Sequence, residues 1–220
     1  MALDLRLYAL LDPEHAGGRE LAEIAQLVAQ GGATLVQLRD KQRPTRVVIE
    51  DARAIKATLA VSGVPLVIND RVDVALACKA DGVHVGQDDM PAEDARRLLG
   101  PSAIVGLSVK NVEQAQAASL DILDYVGIGG VFATTSKTNA DPPIGIGGLG
   151  HIAATIRRRS PKFPVCAIAG IDASNAAATI AAGADGVAVI SALSRKPDPL
   201  VAARELRATV DAALAQRRRS

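Results

Sequence analysis

The sequence predicts an α/β protein, a single (β/α)8 (TIM) barrel with a parallel eight-stranded core. Three observations predict it. Short runs of Val, Ile and Leu alternate with alanine-rich amphipathic segments from end to end, and strand–helix alternation implies parallel pairing. The runs are continuously apolar, as strands buried on both faces are. About eight such units in 220 residues suit a compact barrel better than the alternative, an open doubly wound sheet. An internal echo agrees. Ala80-Asp81-Gly82-Val83 returns as Ala184-Asp185-Gly186-Val187, and Pro65-Leu66-Val67-Ile68 resembles Pro164-Val165-Cys166-Ala167-Ile168. Both offsets are near half the chain, which maps the third strand onto the seventh and the fourth onto the eighth.

Taken in order, the first strand is Leu5–Leu11, followed by a helix over Arg19–Ala29 that Gly31-Gly32 ends. Thr34–Leu38 is the second strand and Thr45–Val61 its helix. Pro65–Asn69, Gly82–Val85 and Ile104–Leu107 are the third to fifth strands, and Asn111–Ala118 is helical. Tyr125–Ile128 is the sixth strand, with a helix over His151–Arg159. Pro164–Ile168 is the seventh. Its helix, Ala173–Ala182, has Asp172 placed to cap its start and Gly183 after its end. Gly186–Ile190 is the last strand. No linker or composition shift divides residues 1–220, so one barrel domain is expected throughout.

Hydrophobic content of 49% with 22% charged residues is that of a soluble globular chain. Aromatic residues are 2%, which leaves Val, Ile, Leu and Ala to build the core and argues against a base-stacking surface for single-stranded nucleic acid. A formal net charge of +1 gives no steering toward nucleic acid or membrane. The runs Arg157-Arg158-Arg159 and Arg217-Arg218-Arg219 read as solvated helix C-termini. Cys78 and Cys166 lie in apolar surroundings without metal-ligand spacing and read as buried free thiols. The N-terminus lacks a basic run and its apolar stretch is broken by Asp4 and Arg6, so no signal peptide is expected. No apolar run is long enough to span a bilayer. A cytoplasmic protein is expected, and a homo-oligomer stays open.

In a barrel, chemistry belongs to the loops that follow the strands. Here those loops receive Gln37-Leu38-Arg39-Asp40-Lys41, Asn69-Asp70-Arg71, Gly86-Gln87-Asp88-Asp89, Ser108-Val109-Lys110, Thr134-Thr135-Ser136-Lys137, Gly170-Ile171 and Ile190-Ser191. The loops after the seventh and eighth strands commonly bind phosphate, through backbone N–H groups and a helix N-terminus. That nominates Gly170, Ile190 and Ser191. The alternative is a tight turn at Gly170 and a helix cap at Ser191. Thr134, Thr135 and Ser136 offer hydroxyls to an anion and Lys137 a full positive charge.

Asp70 and Asp89 follow adjacent strands, so their carboxylates can converge. Mg²⁺ usually takes one or two carboxylates together with substrate phosphate and water. Helix N-capping is the alternative. Arg39 and Lys41 stand next door, either in a plain ion-pair network or holding a polyanion on that metal. A diphosphate explains both sets at once. Asn69, Gln37 and Ser108 suit the edge of a heterocycle or the barrel interior. His84, inside the fourth strand, reads as a hydrogen-bonded core residue. Gly145-Ile146-Gly147-Gly148-Leu149-Gly150 matches a dinucleotide-binding pattern. That pattern needs a buried strand immediately before it, and Asp141-Pro142-Pro143 stands there. It reads as a flexible rim loop.

These residues resemble the thiamine phosphate synthase family over nearly the whole chain. The resemblance rests on Gln37–Lys41, Ile68-Asn69-Asp70, Gly82–Asp89, Gly106-Leu107-Ser108, Gly127–Lys137 and Gly170-Ile171. It implies a Mg²⁺-dependent transferase that joins a hydroxymethylpyrimidine diphosphate to a thiazole phosphate and releases diphosphate. Gln37, Arg39, Lys41, Asn69, Ser108 and Lys137 would bind the pyrimidine diphosphate, with Lys137, Ser108 and Arg39 acting in catalysis. Asp70 and Asp89 would hold Mg²⁺. Thr134, Thr135, Ser136, Gly170, Ile190 and Ser191 would bind the thiazole phosphate. The implied mechanism is dissociative, through a pyrimidine carbocation. Two positions depart from the family pattern: Gly130 stands where proline is common, and Ala169 where a glycine is common. Gly130 should loosen its turn. Ala169 should bring a methyl near the thiazole phosphate. A thiazole phosphate tautomerase-like barrel and a non-catalytic sensor are the competing readings, and both would do without the full charged rim.

Overall fold

A computed structural model describes residues 3–136 and 142–219. Eight strands close into a barrel in which each pairs in parallel with the next, and β8 pairs with β1. The order is β1 (Leu7–Leu11), α1 (Leu21–Gln30), β2 (Leu35–Leu38), α2 (Thr45–Leu59), β3 (Leu66–Asn69), α3 (Val72–Cys78), β4 (Gly82–Val85), α4 (Ala92–Leu99), β5 (Ile104–Val109) and α5 (Val112–Ala117). Then follow β6 (Tyr125–Ile128), α6 (Gly145–Arg159), β7 (Val165–Ile168), α7 (Ala176–Ala181), β8 (Gly186–Val189), the short α8 (Ser191–Ser194) and α9 (Pro199–Arg217). The expected strands match within a residue or two.

Alternate strand residues serve two different cores. Leu7, Val36, Ile68, Val83, Val126 and Val187 face outward into the main apolar cluster beneath the helices. Tyr8, Leu35, Val67, Tyr125, Cys166 and Ala188 face inward and fill the barrel. The Tyr8 and Tyr125 rings meet edge to face, with centroids 5.8 Å apart. Gly106 makes room for them: a side chain there would begin 2.2 Å from Tyr125 Cζ. Both cysteines are buried free thiols, as expected.

The N-terminal end of the barrel repeats one device four times. Just before each even strand, a side chain accepts the backbone N–H near the start of the preceding odd strand. Thr34 Oγ1 accepts from Leu7, Asp81 Oδ2 from Leu66, Asp124 Oδ2 from Val105 and Asp185 Oδ2 from Val165. The backbone N–H of the same four residues donates back to the carbonyls of Leu7, Leu66, Val105 and Val165. The three aspartates also each pair with a cation from the preceding even-numbered helix: Lys56, Arg96 and Arg157.

Three expectations are corrected. The glycine-rich stretch 145–150 is not a rim loop but the start of α6. Its entrance is pinned by Ile144 N–H to Gly130 O and Gly145 N–H to Val131 O. Burial of Leu149, Ile152 and Ile156 then outweighs the poor helix propensity of glycine. The arginine runs end helices, but they are not merely solvated. Arg157 and Arg217 both bind Asp185, and Arg159 donates to the carbonyls of Ala115 and Ala118. Asp172 does not cap α7, whose N-cap residue is Asn175. Its carboxylate instead accepts from Ser174 N and Oγ and shapes the turn ahead of the helix.

Candidate active site

The strands deliver their C-terminal ends to one cavity of about 790 Å³. The tight turns around it come from local hydrogen bonding. Asp40 accepts from the backbone N–H groups of Gln42 and Arg43 and fixes the loop after β2. Asp70 adopts a left-handed conformation at φ 62° while its N–H donates to His84 O. That places its side chain beside Lys41, whose Nζ is 3.1 Å from Asp70 Oδ2.

Asp70 and Asp89 do converge. Burial first, and then the neighbouring Asp89 carboxyl, push the Asp70 carboxyl above the usual carboxylate range, against the pull of Lys41. Neither aspartate caps a helix: α3 and α4 have Arg71 and Pro91 as N-cap residues, without side-chain bonds. Asp89 Oδ2 accepts from Gly86 N–H at 2.8 Å. Two hard oxygen donors so close repel one another, and a divalent cation between them would relieve the repulsion. Among the described residues no cluster of three or more His, Cys, Asp or Glu is present. A carboxylate pair with open positions fits Mg²⁺, which keeps waters and substrate oxygens as its other ligands.

Arg39 lines the cavity but is only partly available. Its Nη1 binds Asp12 Oδ2, a carboxylate 1% exposed. Its charge is therefore already answered, and Lys41, half exposed, is the freer cation of the two. Asn69 ends β3 at the cavity wall, while Gln37 and Ser108 project from β2 and β5 into its floor. His84 is buried and hydrogen-bonded, as expected, through Tyr125 and Ser108. It also forms part of the cavity floor.

Across the cavity, Thr134, Thr135 and Ser136 stand beside Gly170, Ile190 and Ser191. Thr134 Oγ1 accepts from Ser136 N–H at 3.1 Å. Gly170, at φ 68°, packs so tightly that a side chain would begin 2.5 Å from Ala133 O. The turn at Gly130 is tied on both flanks, by Val131 N–H to Ile168 O and Ile144 N–H to Gly130 O, so glycine there does not leave it loose. Ala169 does line the cavity. Lys137 lies outside the described residues. Lys110 and Lys196 are cavity-wall cations given no role from the sequence. Lys110 was visible directly after β5. Lys196 follows α8, where nothing in the local pattern marks it.

A closed parallel barrel whose C-terminal rim gathers carboxylates, cations and hydroxyls around one cavity defines a barrel enzyme with a site suited to anionic substrates. The family described as thiamine monophosphate synthase matches residues 7–193. A thiamine-phosphate synthase of Agrobacterium fabrum is 53% identical over 215 residues, covering 98% of each chain. One from Albidiferax ferrireducens is 50% identical, covering 94% of this chain and 93% of that one. The solved thiamine phosphate pyrophosphorylase from Pyrococcus furiosus superposes with a TM-score of 0.83 at 37% identity, covering 96% and 98% of the two chains. The chain belongs to the thiamine monophosphate synthase family.

Proposed function

We propose that this protein condenses 4-amino-2-methyl-5-(diphosphooxymethyl)pyrimidine with a thiazole phosphate to give thiamine phosphate and diphosphate. The observation that carries the reading is the two-sided cavity. Lys41, Asp70 and Asp89 follow β2, β3 and β4, and Thr134 to Ser136, Gly170 and Ser191 follow β6, β7 and β8, so two opposite arcs of the closed barrel supply the lining. One arc suits a diphosphate and the other a monophosphate, so both substrates fit one chamber.

In this reading Gln37, Asn69 and Ser108 hold the pyrimidine, Arg39 and Lys41 the diphosphate, and Asp70 and Asp89 bind Mg²⁺. Lys137 takes the diphosphate role that the family resemblance gives it. When bound, Mg²⁺ supplies positive charge to the diphosphate oxygens. The bond from the pyrimidine methylene carbon to oxygen breaks, and its electron pair leaves with diphosphate. The thiazole nitrogen then gives its lone pair to the carbocation. That nitrogen carries no proton, so bond formation needs no general base. The side chains position both partners and stabilise the leaving group. Thr134, Thr135, Ser136, Gly170, Ile190 and Ser191 fix the thiazole phosphate so that its nitrogen faces the cation. Among the described residues no helix is long and apolar enough to cross a membrane.

The test mixes purified protein with both substrates and Mg²⁺ and measures thiamine phosphate. Folded protein that forms no product would favour the sensor reading.

A further inference from the structure

The residues assigned to the thiazole phosphate carry no positive charge. Thr134, Thr135, Ser136, Gly170, Ile190 and Ser191 offer only hydroxyls and backbone N–H groups. A phosphate monoester carries a charge of about −1.5 to −2 at pH 7. Among the described residues the cavity lining holds four lysines and arginines: Arg39, Lys41, Lys110 and Lys196. Arg39 and Lys41 follow β2 and are answered by Asp12 and Asp70. Lys110 follows β5. Lys196 alone belongs to the β6–β8 arc, two residues beyond α8, the helix that Ser191 begins.

The backbone at Lys196 is fixed while its side chain is left unpaired. Its N–H donates to Leu193 O, and its carbonyl accepts from Arg19 Nη1 at 2.9 Å. Arg19 Nη2 holds the next carbonyl, that of Pro197, at 2.7 Å. The residue is exposed, and its ammonium makes no hydrogen bond or ion pair among the described residues. Asp172, which follows β7 and lines the same cavity, feels that charge. Its carboxyl lies below the ordinary range, first through hydrogen bonds from Ser174 and in smaller part through Lys196. The ammonium therefore reaches toward the side of the rim where Gly170 and Ser191 stand. Without it, the Asp172 carboxylate would face an incoming phosphate unanswered.

We infer that Lys196 is the cation of the thiazole phosphate pocket, where its ammonium binds the phosphate and offsets the repulsion from Asp172. The inference rests on the assignment of the β6–β8 arc to the thiazole phosphate. A lysine suits the task. Its ammonium is a compact charge on a flexible four-carbon stem, so it can meet a phosphate whose orientation the hydroxyls and backbone N–H groups already fix. The neutral donors supply direction, and Lys196 supplies attraction to the charge. The phosphate takes no part in the bond change, so this attraction is the same in the ground state and the transition state. It lowers KM for the thiazole phosphate and leaves kcat alone.

Lys196→Gln removes the charge and leaves the backbone bonds of the turn in place. Its KM for thiazole phosphate should rise about 5- to 20-fold, the worth of one charged hydrogen bond discounted for exposure. Its kcat and its KM for the pyrimidine diphosphate should hold, and Lys196→Arg should restore most of the loss. Calorimetric titration with thiamine phosphate and with thiamine, which differ only in the phosphate, separates charge from shape. Lys196→Gln should lose affinity for thiamine phosphate and none for thiamine, and its affinity for thiamine phosphate should fall less steeply with added salt. Unchanged affinity for thiamine phosphate overturns the inference. So do equal losses for both compounds, which would give Lys196 a part in the turn alone. Wild-type protein that forms no thiamine phosphate from the two substrates overturns the functional reading, and the titrations still decide the role of Lys196. Wild-type protein that does not bind thiamine phosphate overturns both.

Discussion

Ala169 holds a left-handed backbone conformation at φ 75°, with its methyl 3.4 Å from where a side chain on Gly130 would begin. The two positions at which the family resemblance leads us to expect proline and glycine are therefore neighbours. The smaller residue at one faces the larger residue at the other. A left-handed non-glycine residue costs about 1–2 kcal/mol, of which glycine's extra chain entropy returns part. Ala169→Gly should stabilise the protein by roughly 1 kcal/mol in urea denaturation. Gly130→Ala should be close to neutral, since the new methyl meets only ordinary contacts at 3.4 and 3.7 Å. Gly129→Ala should cost about 3 kcal/mol, because its methyl would lie 2.1 Å from Ile168 Cγ1. Equal effects at positions 129 and 130 would count against this packing.

The Asp70–Asp89 pair predicts a metal response. Asp70→Asn and Asp89→Asn should each lower turnover by about 10²–10³-fold, the worth of one strong electrostatic stabiliser. Mg²⁺ should raise the melting temperature of the wild type and leave that of Asp70→Asn unchanged. Undiminished activity in EDTA would sink the metal assignment.

Arg39 and Asp12 separate stability from binding. Arg39→Ala leaves a buried carboxylate without its cation and should cost roughly 3–5 kcal/mol. The double variant Asp12→Asn/Arg39→Gln should recover much of that stability. It should still show a raised KM for the pyrimidine diphosphate. Recovery of both would place Arg39 in the scaffold alone.

Asp40 gives the β2 loop an acid-sensitive contribution. Burial pushes its carboxyl up, but hydrogen bonds from Arg43 and Gln42 outweigh this, and the net direction is below the ordinary 3.8. A carboxyl lowered in the folded state stabilises above its unfolded value and loses that contribution as pH falls through its folded value. Asp40→Asn should therefore destabilise at pH 7, and the gap to wild type should close in acid, below about pH 4. A gap that stays constant from neutral pH to the acid end would refute the sign.

At the opposite end of the barrel, Asp185→Ala removes an acceptor for Val165 N–H and the partner of two arginines. Its carboxylate is one-third exposed, so the ion pairs are discounted for solvent screening, and about 1–3 kcal/mol is expected. Melting temperature should fall while both KM values hold. A shifted KM would show that this end communicates with the site.

The strands were legible because they are short, predominantly apolar runs, Leu66-Val67-Ile68 and Tyr125-Val126 among them. The rim residues were legible because they follow those runs directly. The start of α6 was not: glycines 145, 147, 148 and 150 hide an apolar face that only the barrel wall completes. The Asp12 partner of Arg39 was hidden by a sequence separation of 27. The hydrogen-bonded chain from Tyr8 through Tyr125 to His84 was hidden for the same reason. Its members lie on different strands, and the sole hint is a polar residue at an inward position of each run.

The four anchors at the N-terminal end give the sequence echo another meaning. Ala80-Asp81-Gly82-Val83 and Ala184-Asp185-Gly186-Val187 look like a relic of duplication from an ancestral half. Asp124 performs the same task one quarter-turn earlier than Asp185, without the surrounding motif, and Thr34 does it with a hydroxyl. A shared mechanical demand, tying each odd strand to its even neighbour, is enough to keep an acceptor at these positions in any such ring. Similarity there measures load, and ancestry has to be sought in residues that carry none.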